Sequence, residues 1–210
     1  MNIPCDFKDA SPEFANEKIA KFDGENHPLE SALTQLIEVF PENTSLPHVL
    51  LKVAAINSLY STQIYGVREV ARKIVDCGID KKLKDGDTGV VDDISWASFL
   101  TKEGKEKKRR NYSFATKYCA WHKPEKYPLY DSRVETCLRA YQQKRAFTSP
   151  FNYDDLKNYA RFREVVDAFR TQYLNGFSYK RIDMFLYQLG SDCFYSTLTS
   201  SATPPPQPAH

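Results

Sequence analysis

Asp131 stands between YPLY and SRVETCLRAYQQ, where the N-cap of a helix belongs. Two tyrosines and two prolines, Pro124 and Pro128, precede it and fix the approach of the chain, and Arg133 follows two residues later. Backbone N–H donors and the helix dipole favour the ionised form of a capping carboxylate. A permanently ionised carboxylate is what a reaction needs when positive charge develops on a sugar ring. The plainer reading of Asp131 is a cap and nothing more. Lys117, in SFATKYC, lies 14 residues earlier on an amphipathic stretch. It is either a surface lysine or an amine held near Asp131.

Two further stretches have the composition of binding elements. KEGKEKKRR, residues 102–110, holds six basic and two acidic residues and runs into a helix start at residues 111–113. Helix N-termini offer free backbone N–H groups to phosphate, so a charged loop feeding one is a grip for a nucleic-acid backbone. Its other reading is a solvated loop. The second stretch ends the apolar run HVLLKVAAINSLYSTQI, where Asn57, Ser58, Ser61, Thr62 and Gln63 cluster. Such groups line a pocket or serve as caps and turn residues.

These residues must be positioned by helices, because the helical period dominates. Leu29, Leu33, Leu36, Ile37 and Phe40 mark a helix over 29–40 that Pro41 stops. Residues 48–61 read as a buried central helix with Pro47 in its first turn. Further helices are expected over 67–77, 90–100 and 111–121, with a polar turn at KKLKDGDTG and a charged loop over 102–110. Pro124 and Pro128 keep HKPEKYPLY out of a helix. The last helices are one capped by Asp131, one or two over 153–174, and one over 178–190. The expectation is an all-α, compact multi-helix domain of about eight to ten helices over residues 1–195, with a disordered, proline-rich tail at 196–210.

Composition narrows the function. With 41% apolar and 27% charged residues, the chain reads as soluble and globular. No apolar run suggests a membrane span, and the start shows no apolar h-region of a secretory signal, so a cytoplasmic protein is expected. Five scattered cysteines, none in CxxC spacing, argue against a disulfide framework and against zinc. The four histidines show no paired-ligand spacing, so neither a metal nor a cofactor is expected. Only 8 glycines, with no phosphate-cradling motif, disfavour nucleotide-binding loops. The 26 tyrosines and phenylalanines imply a heavily packed helical core or a stacking pocket.

A buried helix ending in a polar turn, a second helix, a basic stretch, the helix NYSFATKYCAWH and the link KPEKYPLYDSRV follow one another in an order that resembles the helix–hairpin–helix DNA glycosylases. The likeness is greatest to the 8-oxoguanine glycosylase branch, over roughly residues 46–190. The SFATKYC…YPLYDSRV pattern is also similar to that of an uncharacterised bacterial branch. In the glycosylases a P-V-D link carries a catalytic Asp that caps the next helix; here P-L-Y-D stands in its place. The polar turn after INSLYSTQI resembles the segment used at the lesion pocket. The family's hairpin reads L-P-G-V-G, whereas this chain has GKEKKRRNYS, with one glycine. The nucleophilic lysine of bifunctional members lies roughly 19 residues before the Asp, where this chain has Tyr112 or Asn111 and not Lys117.

The resemblance implies a monomeric DNA N-glycosylase-like protein that flips a damaged or modified base out of double-stranded DNA. In that reading Asp131 supports cleavage of the glycosidic bond, with or without Lys117 as a covalent nucleophile and hence lyase activity. Lys105, Lys107, Lys108, Arg109, Arg110 and Arg133 hold phosphates, and Tyr60, Trp121, Tyr127, Tyr130 and Asn57 form the base pocket. Two rivals remain: a non-catalytic DNA-binding protein of a defence or regulatory system, and a helical protein–protein adaptor.

Overall fold

Ser11 opens the first helix. Its hydroxyl accepts the Phe14 N–H at 3.2 Å and Pro12 takes the first turn, so α1 runs Pro12–Val39. In this computed structural model, which describes residues 7–100 and 104–195, the chain is mainly helical, with nine α-helices and one two-stranded sheet among the described residues. The expected tail at 196–210 lies outside them. No helix among them is long and apolar enough to cross a membrane.

Helix α1 is longer than the 29–40 read from periodicity. It carries Pro28 in its interior, which costs about 3 kcal/mol. Burial of Ala15, Ile19, Phe22 and Leu33 offsets that cost where α1 lies along the last helix, α9 (Tyr179–Gly190). α2 (Leu46–Leu59) and α3 (Val67–Cys77) follow the sequence expectation and pack on each other. KKLKDGDTG is not all turn: most of it is the short helix α4 (Asp80–Asp85), closed by Gly86 in the left-handed region.

The chief correction falls on 90–110. Helix α5 (Gly89–Ser95) stops early, and Trp96–Leu100 is a strand, β1, paired antiparallel with β2 (Glu106–Arg110) in the register Trp96↔Arg110 through Leu100↔Glu106. Residues expected to form a helix end and a charged loop therefore form a β-hairpin. WASFL alternates Trp96 and Ser98 outward with Ala97 inward, which suits a pleat, and its aromatics favour strands. Cations on β2 cover its rings: Lys108 and Arg110 lie 5.2 and 5.9 Å from the Trp96 ring centre.

From there the chain runs as expected: α6 (Tyr112–His122), an irregular link over 123–131, and α7 (Ser132–Lys144). The stretch 153–174 is a 3₁₀ turn (Asp155–Lys157) followed by α8 (Tyr159–Tyr173), because Asn158 caps a new helix through the Arg161 N–H. α9 (Tyr179–Gly190), capped by Ser178, packs between α1 and α7. It approaches α7 tightly at Gly190, where an added Cβ would lie 2.8 Å from Arg133 Cβ and 3.0 Å from the Arg133 carbonyl oxygen. That contact seats α9 against the turn of α7 next to Asp131.

Gly190→Ala should therefore destabilise the fold by about 1–3 kcal/mol, read as a lower urea midpoint. An unchanged midpoint would mean that α7 and α9 are not locked at this point.

Candidate active site

Lys117 comes from the middle of α6 and is only 2% exposed. Its ammonium donates to Ser113 Oγ at 2.8 Å, to the Tyr130 carbonyl at 3.0 Å and to Asp131 Oδ2 at 3.2 Å. Ser113 lies one turn back on the same helix; the other two acceptors are presented by the end of the link. The remaining oxygen of Asp131, Oδ1, accepts the Arg133 N–H at 3.0 Å and so caps α7, with Arg133 Nη1 at 3.8 Å. The carboxylate thus has one oxygen on a helix start and the other on a buried amine.

Both side chains open on a cavity of about 240 Å³, whose wall also includes Tyr60, Leu129, Arg133, Asp183 and Tyr187. The Lys117 ammonium stands 5.5 Å from the centre of the Tyr60 ring, and the Arg133 guanidinium 4.8 Å from that of Tyr187. The Tyr60 hydroxyl donates to Glu30 Oε1 at 3.3 Å and accepts the Trp121 indole N–H at 3.1 Å. Burial pushes the Tyr60 phenol well up, with the Glu30 charge adding to the effect, so it stays neutral. Glu30 also pairs with Lys180, whose ammonium lies 4.5 Å from the centre of the Trp121 ring.

Asp183, on α9, is 8% exposed, and its Oδ1 is buried with no hydrogen-bond partner. Burial raises its carboxyl to about 7; the charges of Lys180 and Lys117 pull it down, and those of Asp131 and Glu30 push it up.

The cations of the hairpin occupy a different place. A concavity of about 330 Å³ is lined by Arg109, Arg110, Lys157 and the first residues of α6. Ser113, which bonds Lys117, lines it too, so it adjoins the Lys117–Asp131 pair across one turn of α6. Arg110 is pinned to Asp92 Oδ1 at 2.6 Å and to the Lys157 carbonyl at 2.9 Å. Arg109 lies 4.8 Å from the centre of the Tyr65 ring, while Lys105, Lys107 and Lys108 are exposed. Trp96 and Tyr65, 43% and 58% exposed, stand among these cations.

The structure brings Lys117, Asp131, Arg133 and Tyr60 around one cavity and Trp121 beside it. Three residues expected in a base pocket sit elsewhere. Tyr130 contributes its carbonyl, not its ring, which is packed against Tyr112 and Phe162 with its hydroxyl bonded to Glu135 and Lys157. Tyr127 is 1% exposed, its hydroxyl bonded to the carbonyls of Lys82 and Asp87, and its ring reaches only the neighbouring cavity. Asn57 is a turn residue: Oδ1 accepts from the Thr62 hydroxyl and the Ile64 N–H. It secures a turn in which Ser61 and Gln63 adopt φ of 48° and 53°, uncommon for residues other than glycine. Sequence reasoning missed Glu30, Asp183 and Lys180. A signal for Asp183 was present: it interrupts the apolar stripe of RIDMFLYQLG at a position where a carboxylate has no surface to reach.

Residues 14–126 match a family described as HI_0787_N, N-terminal domain. The match takes in the hairpin and Lys117 and stops short of Asp131. An uncharacterized protein of Haemophilus influenzae is 38% identical over 154 residues, covering 73% of this chain and 71% of that protein. No solved structure matches the chain.

Asp183 has a stability consequence of definite sign. A carboxyl held near 7 in the fold and in the usual carboxylate range when unfolded contributes stability that is fully present at low pH and lost as pH rises from about 4 through 7. Relative to Asp183→Asn, the wild type should lose melting temperature across that window. Parallel melting curves between pH 4 and pH 8 would contradict the assignment.

Proposed function

The chain belongs to the HI_0787_N family, and we propose that this member is a DNA N-glycosylase-like protein that excises a damaged or modified base flipped from the duplex. The observation that carries the reading is the Lys117–Asp131 pair, 3.2 Å apart and open to one cavity. A helix-capping aspartate reached from a proline-containing link, with an amine against it, is the arrangement that the resemblance to helix–hairpin–helix DNA glycosylases implies. The half-exposed rings of Trp96 and Tyr65, set among Lys107, Lys108 and Arg109, support binding of a nucleic acid.

In this mechanism the C1′–N bond breaks and its electron pair leaves with the base, which takes up a proton. Asp131, held ionised by the Arg133 N–H and the Lys117 ammonium, stabilises the positive charge that develops on the sugar. Water completes the reaction when Asp131 orients it and accepts its proton. Lys117 completes it instead when its ammonium gives a proton to the departing base and the free amine attacks C1′, giving a covalent adduct while Asp131 stays ionised. Arg133, in the wall of the same cavity, and the cations beside α6 hold the flanking phosphates.

One observation favours the non-catalytic DNA-binding reading. The Lys117 ammonium already has three acceptors, the number that it can use, and is built into the fold.

Purified protein incubated with duplexes that carry a panel of modified bases should leave abasic sites, and Asp131→Asn should slow their formation by about 10²–10³-fold. Equal release by the variant would refute the mechanism. Borohydride should trap a protein–DNA adduct that Lys117→Met loses if the amine is the nucleophile; release without trapping assigns the water route.

Replacing Lys107, Lys108 and Arg109 together by alanine should weaken DNA binding and flatten the salt dependence of log K by about 2–3, as loss of three phosphate contacts requires. An unchanged slope would remove the hairpin from the interface.

A further inference from the structure

Helix α2 is built the wrong way round for the surface of a lone chain. A surface helix turns its apolar stripe to the core and its charges to water, and a helix that is apolar all round is covered all round. α2 has no acidic residue and one lysine, Lys52, and that lysine is buried. Its ammonium is engaged by the Phe40 and Glu42 carbonyls and by Asn43 Oδ1, on the inner face that also buries Val49, Val53 and Ile56. The outer face carries no Asp, Glu, Lys or Arg. Leu51, Ala54, Ser58 and Leu59 are exposed there, with Ala55 half-buried among them. Leu51 is 53% exposed and Leu59 40%.

This face is its own complement. Leu51, Ala55 and Leu59 follow one another at intervals of four, a ridge of the kind that packs into the grooves of another helix, and its central residue is small. Two copies crossed antiparallel at Ala55 set Leu51 of each against Leu59 of the other and let the backbones approach at the alanines. The charges beyond the two ends agree with that direction. Glu38 and Glu42 precede the N-terminal end, and Arg68, in the first turn of α3, follows the C-terminal end. All three are exposed, and none has an ion-pair partner among the described residues. Glu69, in the same turn as Arg68, is folded back over Gly66. An antiparallel copy therefore brings the acidic end of one protomer to the basic end of the other, twice over, whereas a parallel copy sets like ends together.

We infer that α2 is the contact surface of a homodimer, on which a second copy of this chain packs antiparallel about a two-fold axis at Ala55. A lipid surface does not match the face, since a helix lying in a membrane interface is rich in cations on its polar side. A nucleic-acid backbone finds no cation on it. Leu59 also borders the cavity that holds Lys117 and Asp131, so the second copy adds to the rim of that cavity. The dimer stands apart from the base-excision reading and is tested without any substrate.

One helix face is a small interface, which implies a dissociation constant in the micromolar range. At about 100 µM the full chain should sediment at twice the mass of one chain, and on dilution it should fall toward a single mass. Leu51→Glu should raise the dissociation constant at least tenfold. It should leave the urea midpoint measured on dilute protein unchanged, because this leucine is exposed in the single chain. Glu38→Lys with Glu42→Lys should weaken the dimer by about two- to tenfold, and adding Arg68→Glu should restore it, since the exchanged ends attract again. A chain that stays monomeric at about 100 µM would overturn the inference, whether or not it binds vesicles or another protein. A dimer indifferent to Leu51→Glu would do the same, and a charge exchange that fails to restore association would refute the antiparallel arrangement.

Discussion

A lysine ammonium sealed inside the protein is the constraint that the centre of this fold answers to. Lys117 cannot be buried without acceptors, since an uncompensated buried charge costs several kcal/mol. Its acceptors come from three places in the chain: Ser113 on its own helix, the Tyr130 carbonyl at the end of the link, and Asp131 at the start of α7. Tyr130 is turned to offer that carbonyl because its N–H bonds Thr116 Oγ1 and its hydroxyl is tied to Glu135 and Lys157. One cation therefore fixes the link against α6 and sets the direction from which α7 departs.

Lys52 is the useful contrast, because it solves the same burial problem away from the cavities described above. Its ammonium bonds the Phe40 and Glu42 carbonyls and Asn43 Oδ1, and Asn43 in turn is held by Asp80 and Tyr118. Burial lowers Lys52 to about 8, and it borders none of the cavities described above. It is a tie between the end of α1, α2 and α4. Lys117 differs in having a carboxylate among its acceptors and an open space in front of it. That difference, and not burial itself, is what the proposed chemistry rests on.

What could be read in the sequence follows the same physics. The cap at Asp131 was legible because a cap is local: an acidic residue after a proline-bound segment and before an amphipathic run states its own geometry. The nearness of Lys117 was legible only as an alternative, since the turn that brings 117 to 131 depends on how the link packs. The hairpin was not legible. EKKRR has no apolar alternation, and its strand exists because WASFL pairs with it and the cations lie on exposed rings. The amino-terminal half of α1 was missed because Pro28 reads as a helix start when α9 is not in view. The directions of the Tyr127 and Tyr130 rings were not legible, because ring direction is a tertiary property, decided by the partners that hold their hydroxyls.

The hairpin also bears on the proposed kinship with the helix–hairpin–helix glycosylases. In those proteins glycines let backbone N–H groups approach a phosphate. Here a residue with a side chain stands at almost every such position, and the backbone N–H of Asn111 is already used by the Ser95 carbonyl at 2.6 Å. What β2 presents instead are long cations braced on aromatic faces, Arg109 on Tyr65 and Lys108 on Trp96. Stacking holds a guanidinium in place without consuming its hydrogen-bond donors. The turn that carries Tyr65 is in turn fixed by Asn57 and by Gly66, where an added Cβ would meet Phe99 Cβ of β1 at 3.2 Å. The polar turn after α2 and the basic strand are thus one surface, built by side chains.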